Sequence, residues 1–180
     1  MKRKPAPDSI SRRQFVFAAS LAGAGLAAGC RAGGSAWETL SAHEARTLAA
    51  LCDQIIPADD FPSASEAGVV TYIDHQLARP YRRHRAAYAA GLRQADVLCR
   101  DRYGCGLAEA PAERQHATAL ALEQKNRKFF ELVRAHSFEG YYGSPRHGGN
   151  RDAVSWRMLG LDEPPVRGRA VYDFTAGTRS

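Results

Sequence analysis

The sequence predicts an all-α chain: a single irregular helical bundle behind a cleavable N-terminal signal, with an extended C-terminal tail. Apolar residues recur at helical spacing in successive segments between Ser41 and Leu159. Capping and stop residues bracket those segments. No alternating run of useful strand length and no internal repeat appears.

The N-terminus has three zones. Residues 1–13 are basic, residues 16–29 are uncharged and mostly Ala, Gly, Val, Leu and Phe, and Cys30 and Arg31 follow. A helix of 14 residues spans about 21 Å at ~1.5 Å per residue. That is short of the ~30 Å hydrocarbon core, so the pattern fits an export signal over residues 1–29 better than a membrane span. A buried helix with a basic cap is the alternative, and Gly23, Gly25 and Gly29 oppose it. Ser11-Arg12-Arg13-Gln14-Phe15-Val16 resembles the twin-arginine signal, with Val in the Leu place. That route carries proteins already folded, usually around a cofactor. Leu26 to Cys30 is similar to a lipoprotein cleavage box, with Leu one place upstream of its usual position. Cleavage before Cys30 would leave a lipid-bearing N-terminus; cleavage near Gly34-Ser35-Ala36 would not.

Residues 30–40 read as a linker and residues 41–160 as one helical domain. Ser41 to Glu44 forms a capping box, Leu48, Leu51, Cys52 and Ile55 follow at helical spacing, and Pro57 stops the helix. Ala58 to Ser63 is a turn-rich loop. Ser63 to Glu66 reads as a second capping box, opening a helix with Val69, Ile73 and Leu77 on one face and an end near Pro80. A longer helix is expected from Tyr81 to Tyr103, with Tyr88, Leu92, Ala95 and Cys99 along one side and Gly104 and Gly106 as breakers. Pro111 fits a first helical position and starts a helix through Leu122. Lys128 to Tyr142 is the next, carrying Phe129, Phe130, Val133 and His136. Ser144 to Asn150 is an irregular loop, after which Asn150 or Asp152 caps a short helix from Ala153 to Leu159. Residues 161–180 form an extended tail that orders on a partner.

The net charge of +6 invites a nucleic-acid reading. It fades once the signal is set aside, because residues 1–29 hold five basic residues and one acidic one, leaving +2 on the other 151. The dense run Arg79 to Arg85 reads as a solvated helix start or a docking patch. Cys52 lies on an apolar face and reads as a buried thiol, while Cys99 and Cys105 are spaced to close a small loop. There is no C-x-x-C-H for covalent haem.

No motif in the chain points to chemistry of its own. His136 and Glu139 stand in the reverse order of the Glu-x-x-His used by di-iron bundles, and no second copy accompanies them. A satisfied core or interface histidine is the simpler reading. No Gly-x-Ser-x-Gly elbow, phosphate loop or G-x-G-x-x-G is present. Two loops remain. Pro57 to Asp60, with adjacent Asp59 and Asp60, is either a plain helix stop or a pair of acids for a partner's cations. Arg146, Gly148, Gly149, Asn150, Arg151 and Asp152, followed by Trp156, form either an internally braced turn or a contact surface.

The stretch Leu51 to Asp60, then Ser63 to Val70 and Tyr72-Ile73-Asp74, resembles the start of the gluconate 2-dehydrogenase subunit 3 family. The stretch Glu139 to Asp152, then Trp156 to Gly160, resembles its end, and the twin-arginine start is likewise typical. His147 stands where a Tyr is usual, Ser155 where a Gly is usual, and the usual Phe-Pro after Gly160 is missing. The resemblance implies a non-catalytic small subunit of a periplasmic, membrane-associated dehydrogenase. A flavoprotein subunit of the glucose–methanol–choline type would hold FAD and oxidise a sugar or sugar acid. Often a cytochrome c subunit with haem c would pass electrons on. The twin-arginine translocase would be a further partner, engaged through Arg12, Arg13 and Phe15. A free-standing helical periplasmic lipoprotein, lipidated at Cys30 and binding a partner or ligand, is the alternative reading.

Overall fold

Ser41 opens the first helix as expected. Its hydroxyl accepts from the Glu44 amide while the Glu44 carboxylate reaches back to the Ser41 N–H at 2.9 Å, satisfying two of the amides that every helix start leaves free. The computed structural model describes residues 36–161. The twin-arginine segment, Cys30 and the tail from residue 162 lie outside them.

Six α-helices are found among the described residues, with no strand. They are α1 (Ala42–Ile55), α2 (Val69–Ala78), α3 (Arg85–Tyr103), α4 (Ala112–Lys125), α5 (Arg127–Tyr142) and α6 (Val154–Met158). Helix α1 lies in the middle of the bundle and touches α2, α3, α4 and α5. Leu48, Leu51 and Cys52 are therefore fully buried, each leucine contributing about 2–3 kcal/mol by leaving water. Val69, Ile73 and Leu77 of α2 and Tyr88, Leu92, Ala95 and Cys99 of α3 complete the core as the spacing foretold. No helix among the described residues is long and apolar enough to cross a membrane. Cys52, Cys99 and Cys105 are free thiols.

Four local expectations need correction. The Ser63–Glu66 box exists, with Ser63 N–H on the Glu66 carboxylate at 2.8 Å, but it closes only one turn. Gly68 then takes a left-handed φ of 85°, and α2 starts at Val69. An added Cβ on Gly68 would also sit 2.8 Å from the Gly148 carbonyl oxygen, so both conformation and space call for glycine there. The long helix begins at Arg85, behind a 3-10 turn at Arg82–His84. Arg85 uses its guanidinium on the Leu77 and Ala78 carbonyls, capping α2 instead of extending α3 backwards. Pro111 is the residue before the first turn of α4, with extended ψ of 153°. The last helix is shorter than expected and Ala153, not Asn150 or Asp152, is its N-cap residue, while Asn150 supports the first turn by accepting from Ser155 N–H at 3.0 Å.

The end of the expected linker is already part of the domain. Asp74 on α2 is 2% exposed. Its carboxylate accepts from the amides of Glu38 (2.6 Å), Thr39 (2.8 Å) and Leu40 (2.9 Å) and from the Thr39 hydroxyl (2.7 Å). Desolvation pushes the Asp74 pKa up, but these bonds outweigh it and hold the carboxyl below its usual range.

Candidate functional site

Helix α5 positions both loops singled out above. Asn126 starts it by accepting from Phe129 N–H. Phe129, Val133, His136, Ser137, Gly140 and Tyr141 form its buried stripe. The opposite side leaves Phe138 and Tyr142 42% and 39% exposed, their rings stacked at 6.1 Å one turn apart.

The acidic turn attaches to the C-terminal end of α5 through Tyr141, whose hydroxyl donates to the Pro62 carbonyl at 2.8 Å. Burial, then the charges of Tyr142, Asp59 and Glu66, raise the Tyr141 pKa. The return of the turn is fixed by Asp53, which accepts from the Ser65 amide and hydroxyl. Asp59 folds back on the amide of Phe61. Pro57, Asp59, Asp60 and Phe61 are exposed.

The glycine-rich loop leaves from the same end. Gly149 presses its backbone on α5: a Cβ there would lie 2.2 Å from the Gly140 carbonyl oxygen. Asn150 is fully buried and bridges the Gly143 carbonyl (2.8 Å) and the Ser155 amide. Trp156 is also buried, donating from its indole N–H to the Tyr142 carbonyl at 2.9 Å. Asn150, Asp152 and Ala153 all have positive φ, at 44°, 55° and 52°, a conformation that costs non-glycine residues energy and persists only where the surroundings enforce it. The structure thus brings the two loops to one end of α5 and divides their residues. Gly149, Asn150 and Trp156 brace the loop from inside, while Arg146, Arg151 and Asp152 face solvent. Leu159 and Leu161, more than half exposed, continue from Trp156.

Exposed Phe61, Phe138, Tyr142, Leu159 and Leu161 were not foreseen as contact residues. For Phe138 and Tyr142 a signal existed: both fall off the apolar stripe of their own helix, four residues apart. Aromatic and aliphatic groups left in water beside exposed acids and arginines suit a protein–protein contact.

His136 has no metal-like surroundings. It is 5% exposed, stacks at 4.4 Å on Tyr81, and its Nδ1 meets the Tyr88 hydroxyl at 2.9 Å. Burial lowers its pKa, so the ring is neutral at pH 7. Glu139 accepts from Tyr72 and Tyr81 hydroxyls at 3.1 and 3.0 Å. Among the described residues no group of three or more His, Cys, Asp or Glu side chains is placed to hold a metal ion. Burial pushes the Cys52 thiol up to about 12, out of reach of a nucleophile's role at neutral pH. One further polar pair escaped the sequence: His43 Nε2 on the buried Asp96 carboxylate at 2.5 Å.

No curated protein and no solved structure matches the chain. The family model for gluconate 2-dehydrogenase subunit 3 matches residues 42–162, from the first residue of α1 to just beyond α6. The acidic turn, the braced loop and all six helices fall inside that match, and the chain belongs to the gluconate 2-dehydrogenase subunit 3 family.

Proposed function

We propose that this chain is the non-catalytic small subunit of a periplasmic, membrane-associated dehydrogenase acting on a sugar or sugar acid. It stabilises a flavoprotein subunit of the glucose–methanol–choline type and is exported with it by the twin-arginine translocase. FAD belongs to that flavoprotein, and haem c to a cytochrome c subunit where one is present. The observation that carries this reading is the match of residues 42–162 to a family defined as a subunit. The Arg12-Arg13-x-Phe15 pattern supports export in the folded state. The exposed aromatic end of α5 offers the flavoprotein an apolar contact beside charged loops.

The test replaces Arg12 and Arg13 by Lys together and follows both chains. Export of this subunit stops, and flavoprotein activity disappears from the periplasmic face of the membrane. If the flavoprotein still crosses, it carries its own signal and the escort role is wrong. If a tagged form of this chain emerges from membranes without the flavoprotein while that protein is expressed, the subunit role is wrong as well, and the lipoprotein reading at Cys30 takes its place.

A further inference from the structure

A second surface borders the braced loop on its α1 side. Ala42, Ala45, Arg46 and Ala49 share one face of α1, and with Trp37 and Val70 they line an open groove of about 360 Å³. Arg151 of the braced loop lines it too. Neither Arg46 nor Arg151 has an acidic partner among the described residues, whereas Glu38 is taken by Arg79 and Glu131 by Arg134. We infer that this groove receives an acidic side chain flanked by apolar residues on the flavoprotein subunit, an inference that rests on the function proposed above.

Charge and shape argue together. Two guanidinium groups on one groove attract an anion, and each offers the fork of donors that fits a carboxylate. The walls around them are alkyl and indole groups, which match apolar neighbours of that carboxylate. A free polyhydroxy acid suits the groove poorly. Of the hydroxyls on its lining, that of Ser65 already donates to Asp53 at 2.7 Å, leaving only Thr71. The backbone of Arg151 is also fixed. Its amide donates to the Ala67 carbonyl at 2.9 Å, and its neighbours Asn150 and Asp152 both hold left-handed backbone. With the backbone fixed this way, binding has only the Arg151 side chain left to order. Another groove of the bundle, lined by Arg93 and Arg100, contains His43, Glu44 and Asp96 as well, so its charges are mixed.

The experiment measures the affinity of the purified full chain for its flavoprotein at two salt concentrations. Arg46→Glu and Arg151→Glu each weaken binding about tenfold and the pair about a hundredfold, with melting temperatures unchanged because both side chains are exposed. Arg93→Glu with Arg100→Glu leaves binding within about twofold. A photo-crosslinker in place of Ala49 captures a flavoprotein peptide containing Asp or Glu. The inference is overturned if the Arg46/Arg151 double variant binds like the parent, if the crosslink goes to residues 162–180 or to a second copy of this chain, or if gluconate alone displaces the flavoprotein. If the parent chain itself fails to bind the flavoprotein, the function proposed above falls and this assignment with it.

Discussion

Ser155 stands where the family resemblance leads one to expect glycine, and its Oγ is the buried side-chain polar atom without a hydrogen-bond partner among the described residues. A buried hydroxyl with no partner costs about 1–3 kcal/mol. Ser155→Ala should therefore raise stability by about 1 kcal/mol in chemical denaturation. Asn150, five residues earlier, is the opposite case. Its amide satisfies a carbonyl and an amide at once, and it tolerates left-handed backbone better than alanine does. Asn150→Ala should cost about 3 kcal/mol, and Asn150→Gly should recover only the backbone part. His136 sets the acid response. Its folded pKa lies below the usual 6.5, so below that pH the unfolded chain binds the extra proton first. The stability that depends on the neutral ring is intact above pH 6.5, declines as pH falls below it, and levels off once the folded form protonates too. His136→Gln should flatten that decline, which is at most about 1.4 kcal/mol per pH unit, in melts compared between pH 7 and pH 5. Asp74 acts in a lower window. Its pKa is depressed from 3.8, so its stabilisation persists above that value and is lost as pH falls through the folded pKa.

At the scale of elements, two helix contacts depend on the absence of a Cβ. A Cβ on Gly91 of α3 would meet the Phe129 ring of α5 at 2.3 Å, and one on Gly149 would meet the Gly140 carbonyl at 2.2 Å. The second partner is backbone and has no way to rotate aside. Gly149→Ala should detach the braced loop from α5, expose Trp156 and red-shift its fluorescence, while far-UV circular dichroism changes little. Helices α1 to α5 were legible in the sequence because a buried stripe repeats every three to four residues, as in Leu48, Leu51 and Cys52. Their boundaries were less so. Ser63 to Glu66 carries the same local signal as Ser41 to Glu44, and only Gly68 and its contact with Gly148 distinguish one turn from a full helix. The glycine-rich loop was legible as unusual, but its division into inner braces and outer charges was not. Asn150 and Arg151 are both polar, and only the packing on Gly143 and Ala67 separates them.

Across the whole molecule, what stayed hidden are the ties between distant parts of the chain. Asp74 holds residues 35 and 36 positions earlier, and His43 meets Asp96 across 53 positions. No periodicity encodes such pairs; they exist only once α2 and α3 have found α1. The Asp74 ties also fix residues 38–40 against α2. Asp74→Asn, which weakens four acceptor bonds, should make the chain between residues 36 and 41 accessible to protease at pH 7 while the helical content stays constant. One more property follows from the depth of Cys52. Its thiol is sealed inside the central helix and is scarcely ionised at pH 8, whereas Cys105 is half-buried. An alkylating reagent reaches Cys52 only during a cooperative opening. Peptide mass spectrometry of timed labelling should show Cys105 modified early and Cys52 late. The Cys52 rate becomes a clock for openings of the bundle, and it should run slower when a partner subunit is bound.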